Sequence, residues 1–360
     1  MSESTYLYAV GAGVFISLVI FAILIYTILL KFSTTLGIRD KDFNLVRWSS
    51  VSKPSLGGIG FYIIFLLSMA LYAVFFESDH IFKDKALLGI IFASSLAFLM
   101  GLADDAYNTR PFLKFGVQLL CGIILISTGT CIDISGVYWV NYFFTIVWVI
   151  GIMNSINMLD NMDGITSIVS LSIFFGMLLL VISAGWYSNL FFILIIGLMA
   201  GLCGFLYYNW HPSRMFMGDT GSQFLGFILA AFAIIFFWNG KASHFEEGWR
   251  NMSVVLLAFI MPITDTTFVV IQRIKRGHSP FVGGKDHTTH HLSYAGISDS
   301  QIGFIFMAMS LISVLAILFL HMAPEYLTPL FAIGTVIYFI FVLTLFFILA
   351  QYNKKNGKET

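Results

Sequence analysis

Residues 190–209 read LFFILIIGLMAGLCGFLYYN, twenty positions from Leu190 to Asn209 without one Asp, Glu, Lys or Arg. About 20 apolar residues at a rise of ~1.5 Å each cover the ~30 Å hydrocarbon core of a bilayer, so this stretch reads as a transmembrane helix. Working outward, the same signal recurs along the whole chain. Of its 360 residues 58% are hydrophobic and 11% charged, and Phe alone supplies 38. Mean hydropathy is +0.89, whereas soluble domains carry roughly 25% charged residues. A soluble globular protein is excluded.

Apolar windows bounded by charge or by Gly, Pro and Asn clusters predict spans near 6–30, 58–76, 86–103, 113–130, 140–156, 165–184, 190–208, 222–238, 252–271, 303–321 and 327–350. The fold class expected is therefore all-α, a polytopic integral membrane protein of about 11 helices forming one domain over residues 1–360. The chain starts with Glu3 and no basic segment, so the first apolar run reads as a retained span and not as a cleaved signal. No internal repeat or heptad run is visible. The scattered cysteines Cys121, Cys131 and Cys203 lack CxxC spacing and read as small core residues.

Lys+Arg and Asp+Glu number 19 each, so only the distribution of charge is informative. With an odd number of spans, one face collects 15 of the 19 basic residues, and the other holds only Lys83, Lys85, Lys241 and Arg250. The positive-inside tendency makes the first face cytoplasmic, with the N-terminus outside and the C-terminus inside.

The acids that are hardest to explain structurally fall on that face as well: Asp104 and Asp105, Asp160 and Asp163, Asp219, and Asp265 a little deeper. A charge near the bilayer core costs at least ~2.5–3.5 kcal/mol, so carboxylates at helix ends call for a counter-ion, for which a divalent cation serves. Each also has a plain structural reading. Asp104-Asp105 can end span three and cap a short helix starting near Arg110-Pro111. In 154–164, NSINMLDNMDG, positions Asn154, Asn157, Asp160 and Asp163 recur every third residue and would align on one helical stripe facing a ligand. The segment 209–222, NWHPSRMFMGDTGS, sets glycines on both sides of Asp219 at the start of a helix, where backbone can approach a phosphate. In the loop 272–302, basic Arg273, Lys275 and Arg276 precede DHTTHH, residues 286–291. His287, His290 and His291 share zinc-like spacing, but no Cys or Glu nearby completes a zinc set; imidazoles beside phosphates are the preferred use.

Together, Lys53 to Gly58, Gly101 to Asp105 with Lys114, Asn154 to Gly164, Asn209 with Phe216 to Ser222, and the His287 loop resemble the polyprenyl-phosphate N-acetylhexosamine-1-phosphate transferases. That superfamily includes the MraY and WecA branches, and the match runs in order from about 53 to 296. Pro262 to Asp265 and Arg276 to Phe281 look more like the WecA branch. One departure lies in the WecA pattern His-x-His-His: aligned on His287, Thr289 replaces the middle His and His290 is retained.

The resemblance implies an MraY-like fold in the bacterial inner (plasma) membrane, with active-site loops near 31–57, 104–113, 154–164, 209–222 and 272–302 facing the cytoplasm. It implies transfer of a sugar 1-phosphate, N-acetylglucosamine 1-phosphate foremost, from a UDP-N-acetylhexosamine to undecaprenyl phosphate with release of UMP. Muramoyl-pentapeptide transfer is the alternative within the family. Mg²⁺, or Mn²⁺ in its place, would be held by Asp219 and Asn157. Lys53, Lys114, Asp160 and Arg276 would bind substrate, with Lys114 and Lys53 at the diphosphate. Asp104 would sit beside the lipid phosphate, with Asp105 close by and His287 and His290 also in the catalytic set. Asp163, Asn209 and the ring of Phe216 would contact uridine. Direct displacement is preferred to a covalent aspartyl-phosphate route. A homodimer is implied, and no nucleic-acid partner. The rival outside this class is a secondary transporter, which predicts mid-membrane charges and inverted repeats.

Overall fold

The computed structural model describes residues 3–36, 53–75, 83–186, 190–240, 248–280, 283–323 and 329–358. The expected loop 31–57 lies mostly outside them, as do Phe281 and Val282 of the loop 272–302. The described chain is helical, in the order α1 (Glu3–Leu36), α2 (Gly57–Phe75), α3 (Lys85–Tyr107), α4 (Pro111–Ser127), α5 (Tyr138–Leu159), α6 (Ile165–Ser183) and α7 (Leu190–Asn209). Then come α8 (Gly218–Ala233), continued by a π-turn at Ile234–Trp238, α9 (Gly248–Ala258), α10 (Ile260–Lys275), α11 (Thr288–Tyr294), α12 (Asp299–Met322) and α13 (Pro329–Lys355).

Among the described residues, 9 helices are long and apolar enough to cross a membrane, or 10 if the bent pair α9–α10 is one span. The expected span near 113–130 is the 17-residue α4, at the short end of spanning length. Within the expected span 252–271 two helices meet with a bend of 80° at a break after Ala258. Pro262 contributes, since a proline in the first turn of α10 favours a helix start and cannot donate to the preceding turn.

Helix α8 is the axis of the bundle. Its whole apolar window is buried, and it packs most extensively on α3 and α5 and also on α2. In hydrocarbon the hydrophobic effect does not drive helices together, so small residues and satisfied polar pairs must do so. Both devices are present. A Cβ on Gly101 of α3 would press on the backbone of Asp219 and Thr220, and one on Gly58 of α2 on Thr220 and Gly221, so these helices cross backbone to backbone. One turn deeper, Asn154 Nδ2 donates to Gln118 Oε1 (2.7 Å) and Gln118 Nε2 to Gln223 Oε1 (3.0 Å), linking α5, α4 and α8.

A short parallel pairing joins 54–58 to 216–217: Phe216 N donates to Pro54 O, Gly57 N to Phe216 O and Gly58 N to Met217 O, at 3.0–3.1 Å. It ties the start of α2 to the entry of α8. The result gathers one end of α2, α3, α4, α5, α7 and α8 around the N-terminus of α8.

Candidate active site

Gly218 adopts φ +76 and turns the chain into α8, where any side chain would meet the Asp105 carboxylate at 2.6 Å. The first amides of a helix have no intrahelical acceptor, and here Asp105 supplies one from outside the chain segment. Its Oδ1 accepts from Asp219 N (3.1 Å), and its Oδ2 from Thr220 N (2.8 Å) and Thr220 Oγ1 (2.6 Å). The Asp104-Asp105 pair therefore does not cap a helix at Arg110-Pro111; α4 begins there with Arg110 at its N-cap and no side-chain bond. Asp105 instead holds α8 and aims Asp219.

Asp219 stands in the first turn of α8, its side chain about a third exposed. Asn157 Nδ2 donates to its Oδ1 at 2.5 Å and to Ser222 Oγ at 2.8 Å. Lys114 Nζ lies 3.5 Å from the same Oδ1 and forms a close ion pair with Asp104. Asp104, whose side chain is 3% exposed, also accepts from Thr109 N (2.8 Å) and Thr109 Oγ1 (2.6 Å). Two carboxylates meeting around a single ammonium are an arrangement that a cation or a shared proton resolves.

The expected helical stripe through 154–164 is corrected. Helix α5 ends at Leu159, Asp160 takes the C-cap position, and the chain turns before α6 begins at Ile165. Asn154 and Asn157 share the helix, while Asp160 and Asp163 are placed by the turn. Burial pushes the Asp160 carboxyl up to about 7, and the negative charges of Asp219, Asp105 and Asp163 add to it while Thr166 opposes. Asp160 follows Asn157 in the turn, its N–H donating to Asn157 O at 3.3 Å.

Asp163 faces a second group. Its carboxylate accepts from Ser213 N (3.0 Å) and Ser213 Oγ (2.7 Å), lies 3.3 Å from His211 Nδ1 and 3.6 Å from Lys53 Nζ. Lys53 also donates to Ser213 Oγ at 2.8 Å and sits 5.1 Å over the ring of Phe216. Asn209 is buried, and its side chain braces the turn: Oδ1 accepts from Gly164 N (3.0 Å) and Nδ2 donates to Met215 O (2.9 Å).

The histidine loop forms a third group. His287 is the N-cap of α11, so the three histidines do not share one helix face; His290 and His291 lie on the helix itself. His287 Nδ1 meets Asp265 Oδ2 at 2.8 Å, and Thr288 donates to Asp265 Oδ1 from N (2.8 Å) and Oγ1 (2.6 Å). His287 N donates to His290 Nδ1 at 3.3 Å. Burial drives the His290 imidazole down to about 3; burial and Arg276 drive His291 to about 4. Both are neutral at ordinary pH. Burial alone would raise Asp286, but the bidentate bonds from Arg273 Nε (2.9 Å) and Nη2 (2.7 Å) hold it low.

Thr289, which replaces the expected histidine, donates from Oγ1 to Asn161 Oδ1 at 2.5 Å. This docks the third group onto the 160–163 turn. Among the described residues no group of three His, Cys, Asp or Glu could hold a metal alone.

Ser213, Ser222, Thr109 and Thr288 were not singled out from sequence. Ser213 and Asp163 are 50 positions apart, and no local periodicity links them.

Residues 87–237 match glycosyl transferase family 4. The chain is 26% identical over 314 residues, 83% of each, to the probable undecaprenyl-phosphate N-acetylglucosaminyl 1-phosphate transferase of Bacillus subtilis. It is 30% identical over 295 residues, 73% of this chain and 82% of the relative, to the phospho-N-acetylmuramoyl-pentapeptide-transferase of Carboxydothermus hydrogenoformans. With the decaprenyl-phosphate N-acetylglucosaminephosphotransferase of Mycobacterium leprae it shares 27% over 291 residues, 73% of this chain and 71% of that one. The matched segment carries the Asp104, Lys114, Asn157 and Asp219 group whole, and the chain belongs to glycosyl transferase family 4.

Proposed function

We propose that the chain transfers N-acetylglucosamine 1-phosphate from UDP-N-acetylglucosamine to undecaprenyl phosphate at the cytoplasmic face of the inner membrane, releasing UMP. The observation that carries this reading is the polar centre where four helix ends meet: Lys114 between Asp104 and Asp219, with Asn157 on Asp219. The relatives named for N-acetylglucosamine, from Bacillus subtilis and Mycobacterium leprae, support the sugar. The pentapeptide-transferring relatives keep muramoyl-pentapeptide transfer as the second reading.

The reaction joins an oxygen of the lipid phosphate to the sugar-bearing phosphorus of the donor. The bond from that phosphorus to the bridging oxygen breaks, and its electron pair leaves on UMP. A phosphate monoester has its second pKa near ~6, so the acceptor arrives largely dianionic and needs no strong base. Orientation and charge neutralisation then dominate the barrier. Lys114 is held between two carboxylates at the place where the diphosphate would lie, and Lys53 over Phe216 would meet the uridine end. Asp104 orients the acceptor phosphate through Lys114, and Asp105 fixes Asp219 by holding the first amides of α8.

Magnesium fits this donor set. It commonly takes one or two carboxylates together with substrate phosphates and water, and Asp219, about a third exposed beside Asn157, offers that. When bound, the ion would neutralise charge on the transferring phosphoryl group.

The acceptor's tail needs an apolar path. A groove of about 370 Å³ opens between α5 and the bent pair α9–α10, walled by Phe144, Val147, Trp148, Met252, Val255 and Leu256. It reaches Ser155 and Thr266, and Ser155 lies two positions before Asn157 on α5. The test is UMP release by purified protein given undecaprenyl phosphate, Mg²⁺ and a panel of UDP-sugars, with Asp219→Ala as control. Release requiring lipid, metal and Asp219, and highest with UDP-N-acetylglucosamine, supports the reading; release only with the muramoyl-pentapeptide donor replaces it with the second.

A further inference from the structure

Asp265 is fully buried on α10, flanked by Thr264, Thr266 and Thr267. A carboxylate there is costly unless each oxygen is used, and here each is. Oδ1 accepts from the backbone and hydroxyl of Thr288, and Oδ2 meets His287 Nδ1 at 2.8 Å. Three features of the contact assign its direction. An ionised carboxylate only accepts, so the proton on this bond sits on Nδ1 of His287. The neighbouring acid, Asp286, is engaged by Arg273 through two bonds and leaves Asp265 as the carboxylate that serves His287. The backbone of His287 is pinned by His290 Nδ1 and by the position of Thr288, so the ring cannot swing without breaking the Asp265 contacts.

The far edge of the ring is Nε2, and no hydrogen bond reaches it from the described residues. The loop bearing it is docked by Thr289 onto Asn161, in the same turn as Asp160 and Asp163. The same clamp therefore fixes the loop's height against the polar centre and the tautomer of its first histidine.

We propose that Asp265 is a positioning residue for the phosphoryl transfer: from inside the bundle it locks His287 with the proton on Nδ1 and so presents Nε2 as a hydrogen-bond acceptor to a hydroxyl or N–H of the UDP-sugar. This rests on the transferase reading above. Asp265 itself touches no substrate and acts only through His287.

Asp265→Asn preserves size and can still accept from Thr288, but its amide donates to Nδ1 and forces the opposite tautomer. Replacing the orienting Asp of a Ser-His-Asp triad by Asn lowers turnover by ~10⁴-fold; here, where attack does not depend on the imidazole as base, we expect a fall in kcat of about 10²-fold, with KM for the UDP-sugar within about 3-fold. The decisive comparison is a double-mutant cycle. In a His287→Gln background, Asp265→Asn should lower UMP release no further, whereas a purely structural Asp265 would lower it equally in both backgrounds. Thr288→Val, which removes a donor to Asp265 and leaves both ionisable groups, should give a fall of about 10-fold that likewise vanishes without His287; it decides the matter if Asp265→Asn does not fold. Wild-type turnover by Asp265→Asn, full activity of His287→Gln, or additive effects would overturn the proposal alone. Absence of UMP release by the unsubstituted protein with every donor would refute the transferase reading, and the positioning role with it.

Discussion

Gly101→Ala tests the geometry of the centre without touching a polar atom. Gly101 lies on α3, one turn before Asp105, against the backbone of α8. A Cβ added there would stand 2.5 Å from Thr220 Cα and 2.6 Å from the carbonyl carbon of Asp219, with the Asp219 oxygen closer still. Ordinary contact begins near 3.4 Å and the Asp219 oxygen would stand at 2.3 Å, so α3 and the first turn of α8 must part by about 1.1 Å. These are backbone atoms and cannot rotate away. Overpacking of this kind costs about 1–3 kcal/mol, partly offset by the ~0.5–1 kcal/mol that alanine contributes over glycine inside a helix. The chain should fold, with a modestly lower melting temperature. Activity should suffer far more, since a misplacement of ~1 Å costs on the order of 10²-fold. UMP release and thermal melting in detergent measure the two effects, with Gly116→Ala on α4 as control, because nothing lies within 4 Å of a Cβ there. Unchanged turnover in Gly101→Ala would refute the claim that the α3–α8 crossing sets the position of Asp219.

Lys114→Ala removes the ammonium from the buried Asp104 carboxylate. Breaking a buried pair costs about 3–5 kcal/mol, and Lys114 is 25% exposed, so we expect the lower end together with loss of UMP release; an unshifted melting curve would contradict it. Phe216→Ala should raise KM for the UDP-sugar about 10-fold and leave kcat nearly intact, as loss of a stacking face does, while Phe216→Tyr should restore it. The neutral histidines of α11 set a pH dependence. With folded values near 3 and 4 against about 6.5 unfolded, the unfolded chain binds more protons in that window, so stability is full above pH ~6.5 and falls on acidification. At pH 5.5 the loss is about 1.4 kcal/mol for each histidine, read as a lower melting temperature than at pH 7.5; equal melting at both would contradict the burial of His290 and His291.

How much of this was legible differs from element to element. The spans were, because hydrocarbon demands long uncharged helices and few other segments fit. The bend after Ala258 was not: apolar windows run straight through it, and Pro262 alone does not distinguish a helix start from a tolerated kink. The stripe Asn154 to Asp163 misled beyond Asn157, since spacing by three describes a helix only while the helix lasts, and Gly164 at φ +79 marks where it has ended. Asp104, Lys114 and Asp219 could be placed on one face by counting spans. Their contact could not be read, because residues 105 positions apart meet only through the glycine-mediated approach of α3 to α8. The clamp of Asp265 on His287 depends on the return of a loop from α10 to α11, which no periodicity encodes.

The charge of the centre leads to a last expectation. Among the described residues Asp104 and Asp219 share Lys114, and the adjacent Asp105 is bound by the amides of Asp219 and Thr220, so the site carries an excess of negative charge before any substrate arrives. A UDP-sugar brings two more negative charges, and unit charges ~5 Å apart at an effective dielectric of ~20 repel by about 3 kcal/mol. That is about two orders of magnitude in affinity. A divalent cation entering beside Asp219 would reverse the sign, so UDP should bind the purified protein about 10²-fold more tightly in Mg²⁺ than in EDTA. Asp219→Asn should narrow that gap from both sides, weakening binding in Mg²⁺ and strengthening it in EDTA. Calorimetric titration of UDP under the four conditions measures this without turnover. Equal affinity with and without the metal would mean that the acids of this centre do not face the diphosphate, and the assignment of Asp219 would have to be withdrawn.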